Sequence, residues 1–263
     1  MYNLRKLSVL LLACSGIAMA EVNIQPCQKV IIAGDEQWPP YAVVVTNQIN
    51  SDNSTKIELK GVGVDVAKKI FAELDVPVED FVYSDQAQML RGLRNNTIDL
   101  VISTMDYPGL TNDLQLLQPA YIKDHITVAV PISTTHKFIS WESFVGLKGV
   151  MSTGYVLDQK TNEFINSYLH VTNKGYLLPD LQAVKYGDYQ YIVGSDLQLT
   201  YAIKNNDLSQ DLIVMKNLHK DINVYMAFAK GSPCKSYAIY MQKRLQDYKN
   251  NGTLEKIVQQ YLY

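Results

Sequence analysis

Three loops carry the side chains that could do chemistry: GDEQWPPY at 34–41, STMDYPG at 103–109 and GSDLQ at 194–198. The first sets a carboxylate, Asp35, three residues before an indole, Trp38. A carboxylate accepts hydrogen bonds and attracts cations, and an indole face covers an apolar or cationic part of a small molecule. The second opens with the hydroxyls of Ser103 and Thr104, which together with backbone N–H groups suit a carboxylate or an amide. It continues to Asp106, and the third loop contains Asp196. This is the chemistry of recognition. Catalytic signatures are missing from the sequence. His125, His136, His170 and His219 are scattered without metal-ligand spacing, and there is no H-E-x-x-H, Walker loop or dinucleotide fingerprint. Without a C-x-x-C, neither a redox dithiol nor a zinc knuckle is indicated, and no cofactor is expected.

Each of these residues also has a plainly structural reading. Trp38 can pack in a core, Ser103 and Thr104 can cap the end of a strand, and Asp106 can cap the turn before Tyr107-Pro108. Asp196 opens a helix, where an acidic side chain satisfies free N–H groups. Tyr41, after two prolines, reads as structural.

The elements that must position these loops follow from apolar patterning. KVIIA at Lys29–Ala33 is a buried strand, and Pro39 and Pro40 exclude helix from the loop after it. Val43–Leu59 reads as an exposed hairpin with the polar tip NQINSDNST. After Gly61, Val62, Val66, Ala67, Ile70, Phe71 and Leu74 recur at helical spacing. Further strands are expected at Phe81–Tyr83, Ile98–Ser103, Ile126–Val130, Gly149–Ser152, Gly175–Leu178, Tyr189–Gly194, Leu212–Met215 and Val224–Ala229. Helices are expected at Gln88–Leu93, Asp158–Leu169, Asp180–Val184, Asp196–Lys204, Cys234–Tyr248 and Leu254–Tyr261. Such alternation predicts an α/β fold with a mostly parallel sheet, whose ligands sit beyond the carboxyl ends of the strands. The three loops lie at such ends.

Composition narrows the classes. With 263 residues, 24 Lys+Arg against 26 Asp+Glu, 47% hydrophobic and 19% charged side chains, the chain is neither a polybasic nucleic-acid binder nor a disordered polymer. Arg5 and Lys6, the apolar run Leu7–Ala13 and the ending Ala18-Met19-Ala20 have the form of a secretory signal peptide over residues 1–20. The protein is therefore expected to be exported, with lipidation at Cys14 the lesser alternative. Cleavage after Ala20 leaves two cysteines, Cys27 and Cys234, a candidate disulfide in an oxidising compartment, with two free thiols as the alternative.

The chain resembles the bacterial extracellular solute-binding proteins of family 3, the polar amino-acid type. The matching pieces are GDEQWPPY, LKGVGVDVAKKIFAEL, LRGLRNNTIDLVISTM, LLQPAY, LQAVKYGDYQYIVGSD and FAKGSPC to NGTLEKIVQQYL, in family order over residues 29–263. The resemblance implies two α/β lobes joined by two crossings, with the ligand held between them. Lobe I would comprise 21–124 plus 227–263 and lobe II 125–226, which puts Cys27 and Cys234 in one lobe.

It further implies a periplasmic protein, monomeric, that binds a small solute by hinge closure and serves an inner-membrane ABC importer. Relatives also include sensory or accessory binding proteins and, rarely, dehydratases, for which Asp35, Asp106 and Asp196 would have to supply an acid and a base. Asp35 and Trp38 match the family's acidic residue and stacking aromatic, and Asp196 its partner for a ligand α-amino group. Gly154 and Tyr155 approximate the second lobe's Gly-hydroxyl anchor. The family's carboxylate-clamping Arg is missing: Leu110 or Thr111 stands there, while Arg91 and Arg94 belong to the preceding helix. Three carboxylates and an aromatic without that Arg point to a cationic or amine-bearing solute.

Overall fold

A computed structural model describes residues 27–49, 55–106, 109, 112–152, 159–174, 176–218 and 220–262. The expected signal peptide with Cys14, residues 50–54 of the hairpin tip, Leu110, Thr111, Gly154 and Tyr155 lie outside the described residues.

The first half begins with β1 (Val30–Asp35), then an antiparallel ribbon of β2 (Val43–Ile49) and β3 (Thr55–Lys60). It continues through α1 (Val62–Ala72), β4 (Val78–Tyr83), α2 (Gln86–Arg94), β5 (Leu100–Thr104) and β6 (Leu114–Leu116). A ten-residue strand, β7 (Ile122–Pro131), leads into β8 (Lys148–Ser152), α3 (Gln159–Tyr168), β9 (His170–Lys174) and α4 (Leu177–Lys185). Then come β10 (Tyr191–Ser195), α5 (Asp196–Asn205), β11 (Leu212–Val214) and a second ten-residue strand, β12 (Lys220–Ala229). Helices α6 (Ala238–Asn250) and α7 (Thr253–Leu262) close the chain.

The main sheet runs β4-β1-β5-β12-β7-β10-β8-β9, with β6 on β12 and β11 on β7. β1 pairs in parallel with β4 and β5, as β8 does with β9 and β10. The sheet is mixed because β7 and β12 run antiparallel to every strand they meet. These two long strands join the halves. β12 pairs with β7 over Lys220–Val224, then with β5 and β6 from Tyr225 onward; β7 passes from β12 to β10 and β11 beyond Ile126.

The apolar side chains divide accordingly. On one side of the crossing, Val30, Ile32, Val66, Ile70, Ile102 and Met226 pack with α6 and α7, and Ala33, Val101 and Ala227 fill the opposite face of the same strands. On the other, Ile126, Val128, Phe144 and Tyr191 form one core, and Val150, Leu181, Ile192 and Leu199 another. Ile222, on β12, touches the cores on both sides of the crossing. Cys27 and Cys234 form a disulfide that ties the start of β1 to the turn before α6.

Most expected elements stand within a few residues of their predicted bounds. One does not: the apolar run Gly175–Leu178, expected as a strand, contributes Leu177 and Leu178 to the start of α4. The strand is the preceding HVTNK, at the sheet's outer edge, where His170, Thr172 and Asn173 are exposed and no apolar run is required.

Candidate functional site

Asp35 ends β1, and Ser103 lies near the end of the adjacent parallel β5. Their register pairs Ile32 with Leu100 and Ala33 with Val101; Asp35 and Ser103 each lie two residues further along, on the face of the sheet that Ala33 and Val101 share. Ser103 is 1% exposed, and its Oγ has no hydrogen-bond partner among the described residues. Asp35 is half-buried and its Oδ1 accepts a 2.8 Å hydrogen bond from the Gln37 N–H. Burial pushes its carboxyl up to about 6; the Gln37 N–H pulls the other way, while Glu36 and Asp85 add to the rise. Thr104 is buried and turns its hydroxyl to the Met105 carbonyl at 3.3 Å.

The turn after β1 is closed by Trp38 N–H to the Asp35 carbonyl at 3.1 Å and by Tyr41 N–H to the Trp38 carbonyl at 3.1 Å. Trp38 is largely buried, its ring 4.8 Å from that of Tyr41, so it joins the first core while forming part of this loop. The loop is braced from behind by α1: Val62 N–H reaches the Pro40 carbonyl at 2.8 Å, and Gly63 N–H the Tyr41 carbonyl at 3.1 Å. Gly61 makes this approach feasible. Its φ of 128° is in the region that favours glycine, and a Cβ there would lie 2.5 Å from the Tyr41 carbonyl oxygen.

The N-terminus of α5 faces this loop. Gln198, almost fully buried, donates through Nε2 to the Gln37 carbonyl at 2.8 Å. Between loop and helix sits Asp124 of β7, 1% exposed. Its Oδ2 accepts from the Tyr41 hydroxyl at 2.9 Å, and its Oδ1 from the N–H groups of His125 at 2.7 Å and Leu197 at 3.3 Å. The Ser195 side chain also bonds it. Burial raises the Asp124 carboxyl from its ordinary value, against the opposing effect of these donors.

The three expected carboxylates have different surroundings. Asp35 is the desolvated one. Asp106 lies two residues beyond β5 and is exposed. Asp196 is already engaged: Lys216 pairs with its Oδ1, which also accepts from the Thr200 hydroxyl at 3.1 Å. The helix cap is Ser195, whose Oγ accepts from the Gln198 N–H at 3.4 Å, so the expectation that Asp196 caps α5 is off by one residue. Arg91 and Arg94 are exposed, with Arg94 reaching Asp113 at 3.3 Å. A separate cavity of about 820 Å³, lined in part by Lys148, His170, Asp188 and Tyr189, opens at the amino ends of β8 and β9, opposite the strand ends that carry the candidate residues.

Sequence reading missed Asp124, Gln198 and Lys216. A charged pair, Lys123-Asp124, within an otherwise apolar strand was a signal for the first. Nothing local announced the other two, because their partners are supplied by contacts 161 and 20 positions away.

Two α/β halves joined through two crossing strands, with polar loops meeting beside the crossing, define a two-lobed binding-protein fold. The chain belongs to the bacterial extracellular solute-binding proteins, family 3, whose sequence profile matches residues 30–263. Its fold is similar to that of an amino acid ABC transporter substrate-binding protein, AbpA from Streptococcus pneumoniae, bound to L-arginine: 18% identity over 89% of this chain and 94% of that one, TM-score 0.71. It is similar also to an ancestral arginine-binding protein bound to arginine, at 18% identity over 90% and 99% of the two chains, TM-score 0.71. The periplasmic VFT2 domain of BvgS from Bordetella pertussis has 11% identity over 89% and 94%, TM-score 0.71. A search of curated proteins found no match. Among the described residues, no helix is long and apolar enough to cross a membrane.

Proposed function

We propose that this is an exported, periplasmic solute-binding protein that captures a small cationic or amine-bearing solute between its lobes and delivers it to an ABC-type importer, acting as a monomer without catalysis or cofactor. The lobes are 21–124 with 227–263, and 125–226; Val224 and Met226 on β12 already pack in the first core. Solute would meet Asp35, Trp38, Ser103 and Thr104 on the first lobe, and closure would add Asp196 and Tyr155 from the second, with Asp106 at the rim.

The observation that carries the reading is the desolvated carboxyl group of Asp35 at the end of β1, together with a buried Ser103 hydroxyl near the end of the paired strand β5 that has no hydrogen-bond partner among the described residues. A carboxyl raised by burial gains most from a cation placed against it, and the hydroxyl supplies a second polar contact. A thermal-shift screen of the chain from Glu21 onward tests this, with amino acids, polyamines, other amines, sugars and organic acids. A saturable rise with cations, confirmed by calorimetry, is the expected result. Saturable binding of sugars or organic acids alone would overturn the cationic reading.

One observation favours a second reading, an accessory or sensory binding protein working through a protein partner. The ion pair of Asp196 with Lys216 occupies the position that the family uses for an α-amino group. An amino acid would have to displace Lys216.

A further inference from the structure

We infer that Asp124 is the positioning residue that couples the two walls of the cleft, its carboxylate acting as a strut between the Trp38-bearing loop and the N-terminus of α5. The inference rests on the two-lobed binding reading above and adds to it the element that transmits movement of one wall to the other.

Asp124 sits where the chain changes halves. Two residues before it, Ile122 packs in the first core; two residues after it, Ile126 packs in the second. Opposite it on β12 is Ile222, which touches both. Between these apolar side chains the chain places a buried carboxyl group. Its four donors come from three places: Tyr41 from the first-lobe loop, Ser195 and Leu197 from the turn into α5, and His125 from its own strand.

Every one of these groups donates, so the seam is built for an acceptor with lone pairs on both oxygens. Removal of the charge leaves buried donors facing each other or facing an amide N–H. Because Tyr41 is rigidly joined to Trp38 through the backbone turn and ring contact, and Leu197 follows Asp196 directly, the carboxylate fixes where the aromatic and acidic sides of the cleft stand relative to one another. The second tie between the same two elements, from Gln198 to the Gln37 carbonyl, joins helix to loop directly, without passing through a crossing strand. Asp124 is the tie that is anchored on the crossing itself.

The test is a distance measurement that needs no solute. Spin labels are placed on exposed positions of α6 and α3, Lys249→Cys and Asn166→Cys, in the oxidised chain from Glu21 onward, whose native cysteines are joined. Pulsed electron paramagnetic resonance then compares the parent with Tyr41→Phe, Asp124→Asn and the double variant.

Each single change is expected to shift and broaden the interlobe distance distribution, and the double variant to go no further than Asp124→Asn alone, because both remove one linkage. A distribution unchanged by Tyr41→Phe, or shifts that add in the double variant, overturns the inference. Tyr41→Phe deletes only a hydroxyl, so the result stands even where Asp124→Asn fails to fold; Ser195→Ala gives the same check from the other wall. Outcomes separate cleanly from the solute reading. Shifted distances in a protein that binds no cation leave the strut in place and remove the solute proposal, whereas unshifted distances with normal cation binding do the reverse.

Discussion

Glu73, the residue that caps the C-terminus of α1, and Arg244 on α6 are joined by two parallel hydrogen bonds, Nε to Oε2 at 2.7 Å and Nη2 to Oε1 at 2.9 Å. The Tyr240 hydroxyl adds a 2.8 Å bond to Oε2, the Tyr248 hydroxyl bonds Oε1, and the guanidinium lies 4.9 Å over the Tyr248 ring. The clamp fastens the C-terminal helices to the first lobe.

Its titration has a definite sign. Chiefly through Arg244, the Glu73 carboxyl is lowered to about 2 from an ordinary 4.5. A lowered folded-state value stabilises above the unfolded value and is lost as protons bind, so this contribution is complete above pH 4.5 and vanishes as the pH falls toward 2. Because the pair is partly solvent-exposed, we expect Glu73→Gln to cost only about 1 kcal/mol at pH 7. Urea unfolding at pH 7 and pH 3 checks it: the deficit of the variant should shrink at the lower pH, and an equal deficit at both would remove the electrostatic account.

The disulfide joins residues 207 positions apart, so the loop it closes takes in every element from β1 to β12. Loop-closure entropy assigns such a crosslink about 5 kcal/mol. Cys27→Ser with Cys234→Ser should therefore lower the urea midpoint markedly, as should reductant on the parent. Intact-mass analysis after alkylation supplies the check on the bond, since labelling of both cysteines in oxidised material would contradict it.

How much of this was readable in advance depended on whether the determinant was local. β1, α1, β5 and α5 were legible because Val62, Val66, Ile70 and their like repeat at the period of the element that buries them. The loops at the strand ends followed from the same alternation. Their contents were harder. Asp35 and Ser103 were identifiable as candidates from position, but that they share one face depends on strand order, which the sequence does not print. The ion pair of Asp196 was not legible because Lys216 approaches from the β11–β12 connection. The role of Asp124 was not legible, since its donors Tyr41 and Leu197 arrive from 83 and 73 positions away.

Lys216 offers a direct probe of Asp196. If Asp196 meets an ammonium group when the cleft is filled, the internal lysine competes with solute for the same carboxylate. Lys216→Met then frees the carboxylate, and affinity for a bound amine should rise about tenfold, an amount typical of one charge-assisted contact. Asp196→Ala should weaken the same amine by a similar factor. Calorimetric titration with the tightest amine from the screen decides, and weaker binding in Lys216→Met would mean that the pair acts as a unit rather than as a competitor.

Asp35 should show a conflict between stability and binding. Its carboxyl is raised by burial to about 6 from 3.8, so the folded protein binds this proton more tightly than the unfolded chain does. A raised carboxylate contributes stability that is present below the unfolded value and is lost as pH rises through the folded one. Above pH 6 the buried charge is therefore a net cost, on the order of 2–3 kcal/mol for a shift of this size. Asp35→Asn, which keeps the shape without the charge, should unfold at higher urea than the parent at pH 8 and lose that advantage by pH 4. Binding should move oppositely. A cationic solute needs the ionised form, so parent affinity should rise with pH through 6 and then level, while Asp35→Asn should bind more weakly and without that dependence. Parallel unfolding and calorimetric curves between pH 4 and 8 separate the cases: a variant less stable than the parent at pH 8 would contradict the desolvation argument, and unchanged cation affinity would remove Asp35 from the site.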